Sequence, residues 1–423
     1  MSARRDVATA WSLADAERYL LSLELFGMRF GLDRMRRLMT ALGHPQLHFR
    51  SIHVVGTNGK SSTTRMIAAI LRRHGLRSGT YTSPHLVSFA ERIRIAERDL
   101  ARAAFAAAAQ RAARAAELVD RSLAEGDRVT QFEVLTAAAY SELARRRVEV
   151  AVIEAGLGGR YDATNVIPSS VQVLTTVGLE HTRWLGPTIT HIAAEKLDVV
   201  REGGTLALGY GLHPDALAVA HRVASERSAQ VVCAPEDPGV PVTALGSFQR
   251  RNFALAREAA RAYLGQLDER AVAQAAAEVL VPGRLEVVGH DPLTMIDGAH
   301  NPEGMAALVE SLPEVTAGRK PLVAVVSILD DKDAAAMLGT LLASCDALIC
   351  TNSHNPRALP PPTLESLARQ LEGPPTEIVR GAGAALARAQ ALAGRGGVVL
   401  ATGSIYLVAD LLGAEALEHA STL

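Results

Sequence analysis

Short apolar runs of strand length alternate along the chain with longer stretches whose apolar positions recur at helical spacing. Runs at 51–55, 76–81, 148–154, 171–177 and 205–208 predict strands. After a break around Val281, Pro282, Gly283 and Arg284 the pattern restarts, with runs at 294–297, 322–327, 347–350 and 397–401. Helical periodicity marks residues 11–45 (ending near Gly43, His44 and Pro45), 63–73, 99–120 and 130–145. The stretch 99–120 is rich in alanine and arginine, both good helix formers, and reads as scaffold. Strands alternating with helices predict an α/β fold with a mostly parallel sheet covered on both faces. In such sheets ligands gather beyond the carboxyl ends of the strands, where most of the polar clusters of this chain fall. The break divides the chain into 1–284 and 285–423, a larger and a smaller, Rossmann-like α/β domain.

Composition narrows the function classes. The 423 residues are enough for two or three domains. At 48% hydrophobic and 21% charged, the chain can fill large cores and is not a disordered one. A net charge of −1 supplies no broad basic field, and 4% aromatic residues disfavour stacking on single strands, so no nucleic acid is expected. Cys233, Cys345 and Cys350 have no C-x-x-C spacing, which suggests a reducing, cytoplasmic setting. No apolar run precedes Asp15 and Glu17, so no signal peptide is expected, and no stretch reads as a membrane span. Lysine is scarce: of 44 basic residues only Lys60, Lys196, Lys320 and Lys332 are lysines. Each position that carries one therefore invites a reading.

Gly56-Thr57-Asn58-Gly59-Lys60-Ser61-Ser62 lies between a predicted strand and a predicted helix. It is the short G-x-x-G-K-[ST] form of a phosphate loop, since position 54 is valine. Glycines let backbone N–H groups turn toward phosphate oxygens, the lysine reaches the outer phosphates, and a hydroxyl meets Mg²⁺. The competing reading is a glycine turn with a solvent lysine; the strand before and the helix after weigh against it. The first domain is thus expected to be a P-loop nucleotide-binding domain. At other strand ends stand Ser83, Glu154 and His181, suitable ligands for Mg²⁺ or for its waters. Taken singly, His181 also fits a helix cap, and Lys196 beside Glu195 fits a helix surface.

Further short motifs lie between residues 42 and 404 in a fixed order. They are Leu42-Gly43-His44-Pro45-Gln46, the loop itself, Thr82-Ser83-Pro84-His85-Leu86, Glu91-Arg92-Ile93, Phe132-Glu133, Glu154-Ala155-Gly156-Leu157-Gly158-Gly159-Arg160 and Asp162-Ala163-Thr164-Asn165. His181-Thr182, Glu195-Lys196, Pro282-Gly283-Arg284, Asp297-Gly298-Ala299-His300-Asn301-Pro302, Asp331-Lys332-Asp333 and Thr402-Gly403-Ser404 follow. Together they resemble the folate branch of the Mur-ligase-like amide ligases, the folylpolyglutamate synthases, often combined with dihydrofolate synthase activity.

The resemblance implies roles. Residues 56–62, with Arg284 and Asp297, would bind ATP, and Lys60, His181, Lys196 and His300 would serve the chemistry. Ser61, Ser83, Glu154, His181 and Lys196 would surround two Mg²⁺ ions, with Lys196 carbamylated; a monovalent cation is a further expectation. Thr82, Ser83, Pro84, His85, Glu91, Arg92, Ile93, Phe132 and Glu133 would line the pterin side. The implied reaction joins L-glutamate to dihydropteroate, to reduced folates, or to both, through an acyl phosphate, in a monomer. Alternatives are a cell-wall-precursor Mur ligase, for which too few residues precede the loop, and a nucleotide-dependent switch. Three departures stand out: Ser61 where the family usually has glycine, Glu180 where it usually has aspartate, and the sequence Leu-Asp-Val-Val-Arg at 197–201.

Overall fold

A computed structural model describes residues 10–23 and 31–413. Fourteen strands among these residues form two sheets. The first holds β1 (Arg50–Val55), β2 (Ser78–Tyr81), β3 (Ile93–Ile95), β4 (Arg98–Asp99), β5 (Val150–Glu154), β6 (Val171–Leu174), β7 (Thr205–Leu208) and β8 (Gln230–Cys233), in the order β4-β3-β2-β5-β1-β6-β7-β8. The second holds β9 (Glu286–His290), β10 (Leu293–Ile296), β11 (Leu322–Val326), β12 (Ala347–Cys350), β13 (Thr376–Ile378) and β14 (Val398–Thr402), in the order β13-β12-β11-β14-β10-β9. Pairings are parallel except β2–β3, β3–β4 and β9–β10, all at sheet edges. This is the expected α/β fold with two mostly parallel sheets.

The central strands are buried on both faces and mostly apolar, with a few buried polar residues such as His53 on β1 and Gln172 on β6, both hydrogen-bonded. On β5, Val150 and Val152 pack into a core shared with the helices Lys60–Arg73 and Ser247–Leu264. Ala151 and Ile153 point the other way, into the core beneath Arg102–Asp120 and Gln131–Arg145. Ala106, Ala109, Ala112, Ala113 and Ala116 are buried, so the alanine-rich helix serves as close-packed scaffold.

Several boundaries moved for local reasons. The helix after the phosphate loop starts at Lys60, not residue 63, so Lys60, Ser61 and Ser62 form its first turn. The strand expected over 171–177 stops at Leu174 because Thr175 and Thr176 turn to bind the loop: Thr175 Oγ1 donates to the Asn58 carbonyl (2.6 Å) and Thr176 Oγ1 accepts from the Asn58 amide (2.9 Å). Residues 11–45 contain the helices Leu13–Leu21 and Asp33–Ala41; positions 24–30 of that stretch lie outside the described residues. Strands β3, β4, β8, β9 and β13 are not among the predicted runs; they are short strands at or next to a sheet edge, with partly exposed positions. Among the described residues, no helix is long and apolar enough to cross a membrane.

The two sheets meet across the helix pair Ser247–Leu264 and Pro302–Thr316. Arg250 makes a two-pronged pair with Glu314 (2.7 and 2.8 Å), Arg251 pairs with Glu310 (2.8 Å), and the Ser247 amide donates to Ser311 Oγ (3.1 Å).

Candidate active site

Strand β1 sits inside the first sheet and delivers the phosphate loop at its carboxyl end, facing the second sheet across a cleft of ≈ 440 Å³. That volume is in the range of small-molecule sites. Two glycines are there because nothing larger fits. Gly56 has φ 150°, and a Cβ on it would lie 1.9 Å from Thr175 Oγ1. Gly59 has φ 83°, and its Cβ would lie 2.5 Å from Asn252 Oδ1. Gly59 is also the N-cap of Lys60–Arg73 and offers no side chain to the first-turn amides, so the helix N-terminus is left as an anion-binding end.

Both site lysines converge on one carbonyl. Lys60 Nζ donates to the oxygens of Gly56 (3.0 Å) and Thr57 (3.1 Å), and Lys196 Nζ donates to Gly56 (2.8 Å). Burial, reinforced by the Lys60 charge, lowers the Lys196 pKa from 10.5 to about 7. Lys196 is therefore buried beside the loop, not on a helix surface.

Glu154 ends β5 beside the loop. Its carboxylate accepts from Ser61 Oγ (2.9 Å) and from the Ser83 amide (3.1 Å). Burial raises its pKa from 4.5 to about 7, against the pull of Lys60 and these hydrogen bonds. Ser83 Oγ is buried without a partner. An orphaned hydroxyl and a carboxylate that gains by meeting a cation are the oxygen donors that a hard divalent ion takes, so these residues fit Mg²⁺. Among the described residues no three His, Cys, Asp or Glu side chains form a metal cluster on their own. His181 follows Glu180 in a left-handed conformation (φ 53°), and burial and the nearby lysine charges hold its imidazole pKa at about 4 despite Glu180. It is thus a neutral ring, able to offer a lone pair.

The second domain closes the other wall. Asp297, at the end of β10, accepts from the amides of Leu285 and Ala299 (both 2.8 Å); burial raises its pKa against the pull of Arg284. His300 Nδ1 donates to the Gly298 carbonyl (2.8 Å), which turns Nε2 toward Glu180 (3.5 Å). Arg284, Asp297 and His300 all line the cleft.

The residues expected on the pterin side divide. Ser83 and Pro84 line the cleft. Thr82 and His85 are buried behind it: the Thr82 amide donates to the Arg92 carbonyl (2.9 Å), Arg92 Nε donates to His85 Nδ1 (3.0 Å), and His85 packs on Phe89 at 4.3 Å. Phe132 packs against Gly156, where a Cβ would lie 2.6 Å from its ring. Glu91 accepts from the amides of Leu86, Val87 and Ser88, which shapes the loop from within. Ile93 is a fully buried core residue. Glu133 pairs with buried Arg34 (3.1 Å) and with Thr130 in a capping box.

Other cleft residues had not been singled out. Tyr210, Phe248 and Asn252 also line the cleft, and no local motif marks them. Asn301 and Glu180 stood within or beside recognised motifs without an assigned role; both contact residues of the opposite domain.

Family models fit both halves of this arrangement. Residues 54–207 match the Mur ligase middle domain, and residues 283–405 match the Mur ligase glutamate ligase domain. The folylpolyglutamate synthase of Lacticaseibacillus casei is 37% identical over 79% of this chain and 84% of its own length. The dihydrofolate synthase/folylpolyglutamate synthase of Bacillus subtilis is 30% identical over 94% of this chain and 97% of its own. The chain belongs to the folylpolyglutamate/dihydrofolate synthase family of Mur ligases. The solved folylpolyglutamate synthase of Mycobacterium tuberculosis, complexed with ADP and AMPPCP, superposes with a TM-score of 0.87 at 31% identity, covering 95% of this chain and 99% of that one. The family's two-domain α/β architecture is thus the one described above.

Proposed function

We propose that this chain is an ATP-dependent ligase that joins L-glutamate to dihydropteroate and to reduced folates, working as a monomer in the cytoplasm. The observation that carries the reading is a short phosphate loop opening onto a cleft whose far wall, with Arg284, Asp297 and His300, comes from a glutamate ligase domain. A carboxylate oxygen of the pterin acid attacks the γ-phosphorus, and the bond to ADP breaks. The glutamate nitrogen then attacks the acyl carbon and loses a proton, and the C–O bond to phosphate breaks, leaving an amide. Lys60 and the first-turn amides stabilise the charge of the transferring phosphoryl group. Mg²⁺, held by Glu154, Ser83, His181 and one of the Ser61/Ser62 hydroxyls, would add charge neutralisation there. Lys196, buried and close to half neutral near pH 7, is suited to take up CO₂ as a carbamate and so become an anionic ligand. Support for both substrates comes from the B. subtilis relative, whose name carries both activities. The deciding measurement is glutamate-dependent ADP release with dihydropteroate and, separately, with tetrahydrofolate. Release with both is expected; none with dihydropteroate removes the dihydrofolate synthase half, and none with either removes the ligase reading.

A further inference from the structure

We propose that Glu180 is a positioning residue that latches the second domain over the phosphate loop and thereby keeps water from the acyl phosphate; this rests on the ligase reading above. Glu180 belongs to the first-domain loop after β6, yet its carboxylate is taken up by the second domain. Oε1 receives Lys332 Nζ at 3.0 Å and faces His300 Nε2 at 3.5 Å, and Oε2 accepts from Asn301 Nδ2 at 3.1 Å. Asn301 in turn exchanges a reciprocal amide pair with Asn58 of the phosphate loop (3.0 and 3.1 Å). One residue before Glu180, the Leu179 amide donates to Glu303 Oε1 at 3.3 Å. Every one of these bonds crosses from one domain to the other, and together they tie the phosphate loop to the turn that carries His300.

The burial of the pair makes it a latch and not a decoration. The side chains of Glu180 and Lys332 are only 10% and 7% exposed. A buried charge that loses its partner is costly, and the cheapest relief is to let water in. Here that means parting the two domains at the cleft. The scarce Lys332 thus acquires a place: it is the second domain's counter-charge to Glu180. Loosening the latch opens the cleft in which the acyl phosphate must wait for the amine. Water then competes with glutamate for the acyl carbon.

The test compares Glu180→Gln and Lys332→Met with Arg250→Ala, whose interdomain pair is exposed and outside the cleft. Phosphate released per amide formed is measured with glutamate present, and hydrogen exchange is followed in the ligand-free protein. For both latch variants we expect that ratio to rise at least about threefold over the unsubstituted protein. We also expect amides in 178–181 and 298–303 to exchange at least about tenfold faster, with β1 and β11 unchanged. Arg250→Ala should change neither readout. Asn301→Ala, which keeps every charge, serves if exchange in β1 or β11 shows a fold defect in either variant. An unchanged ratio, or unchanged exchange in either segment, overturns the latch. If the unsubstituted protein forms no amide, the ligase reading fails on its own, and the exchange data still decide whether Glu180 holds the domains together.

Discussion

The cleft contains two buried glutamate–lysine sets that differ in one respect. Glu180 and Lys332 are in contact, whereas Glu154 and Lys196 each meet only neutral groups at hydrogen-bond distance: a serine hydroxyl and an amide for the first, a carbonyl for the second. The outcome is opposite titration. Burial pushes Glu154 up to about 7 and Lys196 down to about 7. For Glu180, burial also works upward, but His300, Lys332 and His181 outweigh it and hold the carboxyl far below the usual range. A satisfied pair is a structural tie; an unsatisfied pair is a pair of groups that gain by binding something else. The difference separates the part of the cleft that holds the domains from the part that is open to metal and phosphate.

The largest effect should come from Glu154→Gln. If this carboxylate belongs to the chemistry, glutamate-dependent turnover should fall on the order of 100-fold or more, as when a charge-stabilising group is removed. Stability should respond in the other direction. In the metal-free protein the folded state holds a proton on Glu154 between pH 4.5 and about 7 that the unfolded chain has already released. Stability from this group is therefore complete below about pH 4.5 and lost as pH rises through about 7. The glutamine variant should lack that decline in urea unfolding at matched pH values. Turnover within threefold of normal would move Glu154 into the structural class with Glu180.

A smaller effect is expected at the lysine of the same set. Incubation with ¹³C-bicarbonate should give a carbamate carbon signal in the folded protein, absent in Lys196→Met and absent after acid unfolding. Lys332, already paired, should give none. A signal that persists in Lys196→Met would place the reactive amine elsewhere and dissolve the contrast between the two lysines.

Much of this was legible in the chain itself. Strands buried on both faces, such as β5 and β11, have nearly unbroken apolar runs, so their order and spacing could be read directly. The edge strands could not: β8 is half exposed and β4 has two residues, too little for a periodic signal. The phosphate loop was readable because its residues are contiguous. Glu180 was noticed only as one CH₂ longer than aspartate, because its partners lie 120 to 152 positions further along. Asn252 left no trace either, since a polar residue on a helix face looks the same whether it meets solvent or Gly59. Glu133 and Ile93 illustrate the converse: a motif residue can face the interior of the fold, Glu133 paired with Arg34 and Ile93 in the apolar core.

The smallest effect should be at Arg250, where the two domains meet through the helix pair Ser247–Leu264 and Pro302–Thr316. Its pair with Glu314, at 2.7 Å, is shorter than the Lys332–Glu180 pair at 3.0 Å, but its side chains are 38% and 59% exposed. In water the Coulomb gain is small and the cost of ordering two long side chains offsets most of it. Arg250→Ala should therefore cost no more than about 1 kcal/mol in urea unfolding, and less in high salt. A loss several times larger, insensitive to salt, would mean that the helix pair and not the Glu180 cluster carries the domain contact. The distances alone do not rank the two contacts; desolvation does, because it decides whether a broken pair has water to turn to.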